Sequence, residues 1–170
     1  EAARELHAVA AAALAPLVDR EDVQEERAMH LHRAGKVRAA CEAMVEAGLW
    51  SFRRADIAPR RARFEAASGW AHAAGLLDLE ARSLAELAYG SAEIGEPMRA
   101  DEQIQSALSY LGQPGCEQVA PWVMMRHAQV ARMLGLGAMG AQATAEALDL
   151  ARAHDVGEQP PRLLRMGAGQ

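Results

Sequence analysis

Glycine returns in this chain at intervals of 40 residues. Gly35, Gly75 and Gly115 share one register, and Gly95 and Gly135 share a second, with Ala55 ahead of them. Smaller and larger apolar residues keep the same step. Ala67, Ala107 and Ala147 coincide, as do Ala8, Gly48, Ala88 and Ala128. Met44, Leu84 and Met124 form a column of larger residues, and Phe64, Ile104 and Thr144 a weaker one. A unit of this length cannot bury its apolar faces alone, so copies must stack on one another.

The unit is helical. The chain has 39 alanines among its 170 residues, and Val, Ile, Thr and Tyr are sparse. Alanine is the best helix former, while a sheet needs the residues that are scarce here. The first segment spaces Leu6, Val9, Ala10, Ala13, Leu14 and Leu17 as one helix face. Each glycine of the two registers falls where a helical pattern stops, the position at which a left-handed backbone costs glycine least. Pro97 suits the first turn of the helix that follows. The pattern predicts eight helices, near residues 2–16, 21–34, 36–54, 58–74, 77–94, 97–111, 117–134 and 138–153. Short connections make neighbours antiparallel. In "ELAYGSAEIGEPMRADEQIQSAL", residues 86–108, the small residues at Ala88, Ala100 and Ala107 let two helix backbones approach across the Gly95 turn.

With these residues in view, the hairpin of Leu84, Leu87, Ala88, Gly95, Ala100, Ile104 and Ala107 resembles the tetratricopeptide pattern: a small residue, a turn glycine, then two alanines seven apart. Met124, Ala128, Gly135, Gly140 and Ala147 repeat it, and Met44, Gly48 and Ala67 echo it. The 40-residue step is longer than the usual one of about 34. Leu84, Ser91 and Met124 stand where the family carries aromatics. The resemblance is therefore to a longer, degenerate form of the repeat. It implies an all-α superhelix of antiparallel hairpins over residues 1–155, followed by a tail at 156–170, "VGEQPPRLLRMGAGQ", in which Pro160-Pro161 breaks the helix. The tail is expected to be partly disordered or to pack as a short helix. Similar solenoids stand behind the nucleotide-binding modules of large bacterial signalling ATPases, transcription activators and protein kinases. The hairpin at Gly35, with Ala28, Ala40 and Ala47, fits in the opposite phase, which leaves open which helices line the concave side.

Several constellations invite a chemical reading. "GLGAMG", residues 135–140, matches G-x-G-x-x-G, with Asp155 20 residues after Gly135. A dinucleotide site needs a strand before that loop, and the pattern of Val123, Met124, Ala128, Val130, Ala131 and Met133 is helical. His30 and His32 lie two apart, on different sides of a helix. Glu26 and His30 have ligand spacing but no evident third partner. Arg53, Arg54, Arg60, Arg61 and Arg63 gather around one connection, with Asp56 and Glu65 close by to pair with them. Trp50, Trp70 and Trp122 fit a core or a groove. No nucleophile motif or carboxylate pair is present, so no catalytic, cofactor or metal site is expected and the chain is not read as an enzyme.

The resemblance implies a function in interaction or regulation. It puts Arg82, Tyr89, Trp122, Met125, Gln129 and Arg132 toward a groove, where they would meet a peptide with acidic and apolar residues. The alternatives are a solenoid that senses a small ligand and a module that associates with itself. The net charge of −5 argues against nucleic acid as a partner. No apolar run is long enough to span a membrane. Cys41 and Cys116 match no zinc or redox spacing, which suits a reducing cytoplasm. The chain opens without Met and reads as a piece of a longer protein.

Overall fold

A computed structural model describes residues 1–17, 21–54 and 57–153. Among them there are eight α-helices and no strand. They are α1 (Ala2–Leu14), α2 (Glu21–Arg33), α3 (Val37–Trp50), α4 (Ile57–Ala73), α5 (Leu77–Glu93), α6 (Pro97–Ser109), α7 (Ala120–Met133) and α8 (Gly137–Ala153). Each helix packs on the next, and α5 also packs on α7 and touches α3. The result is an all-α superhelical array of antiparallel hairpins. The tail at 156–170 lies outside the described residues.

Four of the glycines end their helices in the same way. Gly35, Gly75, Gly95 and Gly135 all have φ between 66° and 79°. At each, the glycine N–H reaches back three residues and the following N–H reaches back five, as in Gly95 to Ala92 and Glu96 to Ser91. That pairing satisfies carbonyls which the helix end would leave bare. Gly115 behaves otherwise. Helix α6 stops at Ser109, short of the expected 111, and α7 starts at Ala120, later than the expected 117. Gly115 sits inside this longer connection with Gly112, both at positive φ, and does not cap a helix directly.

The third helix was expected to reach residue 54, but it tightens into a 3-10 turn over Ser51–Arg54. The cause is local competition for a carbonyl. Arg63 Nη1 and Ser51 Oγ both donate to the Ala47 oxygen, at 3.2 and 3.4 Å. The Ser51 N–H bonds Gly48 and Leu49 instead, which is the tighter geometry. A similar 3-10 turn follows α1 at Ala15–Leu17.

Ala88, Ala100 and Ala107 have no exposed surface and share one core with Ala81, Ala85, Ile104 and Val123. Ser91 is buried beside them, its Oγ 2.8 Å from the Gln103 side-chain amide across the Gly95 turn. Ala100→Leu and Ala107→Leu should therefore each destabilise by about 1–3 kcal/mol through overpacking. Urea midpoints that do not move in either variant would contradict this packing.

In the row α3, α5, α7 the helices touch directly and are also bridged by Arg38 to Asp78 at 2.7 Å and Arg126 to Glu86 at 2.7 Å. In the other row long side chains make the links: Arg63 to Glu25 at 2.7 Å, Arg99 to Glu65 at 3.2 Å and Arg61 to Glu96 at 3.3 Å. We call the row of α3, α5 and α7, whose helices contact one another directly, the inner row.

Candidate functional site: an arginine–aromatic cluster on the inner row

The inner row carries a buried charge pair. Glu86 on α5 is 0% exposed, and the Arg126 side chain on α7 is 3% exposed. Arg126 donates from Nε to Glu86 Oε1 at 2.8 Å and from Nη2 to Oε2 at 2.7 Å. This fork-to-fork geometry is the strong form of the pair. The remaining capacity is also used. Trp122 Nε1 donates to Glu86 Oε1 at 2.7 Å, and Arg126 Nη1 donates to Gln129 Oε1 at 2.7 Å.

Aromatic rings close around this pair. The Arg126 guanidinium lies 4.5 Å from the Tyr89 ring centre, 5.2 Å from Phe52 and 5.4 Å from Trp122. Arg82 also sits over Trp122, 5.1 Å from its ring centre, and reaches Glu46 on α3 at 3.4 Å. The buried Arg60 of α4 lies 4.1 Å from the Phe52 ring centre and pairs with Glu93. Three arginines thus lie over the rings of Phe52, Tyr89 and Trp122, with Arg60 reaching in from α4. Burial and the nearby Glu93 push the Tyr89 hydroxyl pKa upward.

Of the six residues expected at a groove, Arg82, Tyr89, Trp122 and Gln129 are brought together around Arg126. All four are half-buried, and so is Met125, on the same helix as Trp122. Arg132 leaves the group. A Cβ on Gly140 would stand 2.8 Å from Arg132 Cγ, so this stem lies along α8. The residues at the centre, Glu86, Arg126 and Phe52, were missed in the sequence. A signal did exist, since Glu46, Glu86 and Arg126 occupy one register position and the charge reverses at the last.

The other constellations resolve into packing. Arg60, Arg61 and Arg63 disperse to Glu93, to Glu65 and Glu96, and to Glu25. The side chains of Arg53 and Arg54, and all of Asp56, lie outside the described part. "GLGAMG" runs from the turn after α7 into the first turn of α8, with Gly135 at φ 78° and Gly140 against the Ala128 carbonyl, where a Cβ would come to 3.1 Å. Asp155 lies outside the described residues. His32 stacks on Trp70 at 4.2 Å. Glu80 accepts from Tyr110 Oη at 2.8 Å and lies 3.0 Å from His72 Nδ1. Burial pushes the Cys41 thiol up to about 11, so it stays protonated at neutral pH. The cleft between α4 and α5, lined by Arg60, Phe64, Glu86 and Gly90, has room for about one water molecule.

His127 on α7 has two buried ring nitrogens with no hydrogen-bond partner among the described residues. Burial lowers its pKa below the ordinary 6.5, against the opposing pull of Glu146 and Asp101. The folded state therefore favours the neutral ring. The stability this gives is present above the ordinary pKa, falls as pH drops through it, and levels off below the folded value. Urea midpoints between about pH 7.5 and 5 should show the decline, and His127→Leu should flatten it. An unchanged slope in the variant assigns the decline to other groups.

Among the described residues no helix is long and apolar enough to cross a membrane, and no cluster of three metal-ligating side chains occurs. Comparison with protein-family models, curated proteins and solved structures finds no match to this chain.

Proposed function

We propose that the chain is a tetratricopeptide-like repeat module that binds a peptide segment of a partner protein along its inner row and has no catalytic role. In this reading it serves a larger bacterial signalling or regulatory protein in the cytoplasm. The observation that carries the proposal is the state of Trp122, Tyr89 and Met125. These large side chains are half-buried on the inner row, and the buried Glu86–Arg126 pair holds Trp122 in place. Rigid aromatic side chains beside an arginine are the composition of binding hot spots, and an anchor that is already fixed loses little entropy on binding. Arg82, at 27% exposed, supplies a cation next to Trp122 for an acidic residue of the peptide.

Trp122→Ala tests it. The variant should keep its helical circular dichroism, because Glu86 retains Arg126. It should lose about 2 kcal/mol or more of affinity for a partner identified with the wild-type chain. A variant that binds the partner equally well removes Trp122 from the interface and with it the support for this surface.

Stacking of open ends into a homo-oligomer has support of its own. Leu6 and Val9 on α1 are 72% and 68% exposed, and Leu148 on α8 is 52% exposed. Exposed apolar side chains of this size suit a contact with another copy of the chain. Sedimentation of the same Trp122→Ala variant separates the two readings, since end stacking does not depend on the inner row.

A further inference from the structure

Two histidines that are far apart in the sequence meet between the first two helices. His7 on α1 and His30 in the last turn of α2 face each other Nδ1 to Nδ1 at 2.9 Å. Their rings are tilted by 42°, with centres 5.1 Å apart. As a hydrogen bond this arrangement works in one way only: one Nδ1 carries the proton and the other is bare. With that proton moved to Nε2, each Nδ1 offers a lone pair, and a turn of the two rings about their side-chain torsions brings both onto one ion.

That is the donor set of a transition-metal ion. Two ligands of a tetrahedral zinc, each about 2.0–2.1 Å from the metal, stand about 3.3 Å apart. The nitrogens need to separate by a few tenths of an ångström and the rings to turn toward a common point, a small adjustment for two half-buried side chains. Both histidines are half-exposed, so an ion has a way in and water can fill the other positions.

We propose that His7 and His30 form a clamp for zinc or a similar late first-row divalent cation, fastening α1 to α2. Imidazole nitrogen suits zinc, copper and nickel, whereas magnesium and calcium take oxygen ligands. No third His, Cys, Asp or Glu completes the set among the described residues. With two protein ligands and water in the remaining positions, such a site exchanges its ion more readily than a closed structural zinc site. Its effect falls on the helix that needs it. Ala11 is the one residue of α1 that is fully buried, so few apolar contacts hold this helix down. A metal bridge between the two helices adds a tie that the apolar contacts do not supply. The other described histidines near the α2–α4 row are engaged elsewhere, His32 with Trp70 and His72 with Glu80.

The test uses the whole chain, stripped with a chelator and titrated with zinc chloride by calorimetry. One ion should bind per chain. His7→Gln and His30→Gln should each weaken binding by at least about tenfold, while His72→Gln leaves it unchanged. Zinc should also slow hydrogen exchange of the α1 amides. Because a glutamine could loosen α1 without removing a ligand, the unmutated chain gives an independent measure. Paramagnetic cobalt added in its place should perturb the His7 and His30 ring resonances before those of any other histidine. Absence of a one-to-one phase, binding that survives both substitutions, or cobalt effects that appear first elsewhere would each overturn the clamp.

Discussion

Glu86→Ala should lower the stability of this protein by about 3–5 kcal/mol, because it leaves the Arg126 guanidinium buried without its counter-charge. A domain of this size has about 5–15 kcal/mol in hand, so the loss is a large fraction of the whole. Arg126→Ala should cost a similar amount for the converse reason. The pair itself is a different quantity. Desolvating two charges offsets most of their attraction, so replacing both with apolar residues of similar volume, as in Glu86→Leu with Arg126→Met, should come out near neutral. Trp122 loses its Nε1 acceptor in that double variant, but the ring is half-exposed and water can take over. Urea denaturation of Glu86→Leu, Arg126→Met and the two together closes the cycle. A double variant as unstable as the two singles added together would show that Glu86 and Arg126 act independently.

Phe64→Ala should cost about 3–5 kcal/mol, as expected for emptying a fully buried aromatic site. Phe64 is 1% exposed and sits in the core with Met44, Val45, Ala67 and Leu87. Its place exists because position 48 has no side chain. A Cβ on Gly48 would stand 2.7 Å from Phe64 Cε1 and 2.8 Å from Cζ, closer than carbon atoms can approach. Gly48→Ala alone should therefore destabilise by about 1–3 kcal/mol by forcing the ring aside. Adding Phe64→Leu should recover part of that loss, since the smaller side chain leaves room for the methyl. Urea midpoints decide it, and a double variant no better than the sum of the singles would mean that Gly48 and Phe64 do not share the space.

The same pair shows how the repeat register carries meaning. Gly48, Ala88 and Ala128 make one column, and Phe64, Ile104 and Thr144 make the other. Where the first helix has the smallest residue, the second has the largest. Ala88 and Ile104 are both buried in the central core, and Gly140 closes on the Ala128 carbonyl in the last hairpin.

Local and periodic features were legible from the residues alone. Eight helices and the turns at Gly35, Gly75, Gly95 and Gly135 follow from helix propensity and from the ease with which glycine takes a left-handed backbone. These are properties of a few consecutive residues, so they can be read in sequence order. The 40-residue step likewise placed Ala88, Ala100 and Ala107 in the packing. Other features depended on side chains far apart in the chain. The stop of α3 before Ser51 turned on Arg63 reaching Ala47, and the arginines around residue 60 found partners on α2, α5 and α6. The centre of the inner row, Glu86 with Arg126, joins residues 40 apart, and His7 meets His30 across 23. Long charged and aromatic side chains can reach several neighbours, and periodicity alone does not say which one. Only the closing of one helix on another makes that choice, because it fixes the few partners within hydrogen-bond reach and removes the water that competes for them.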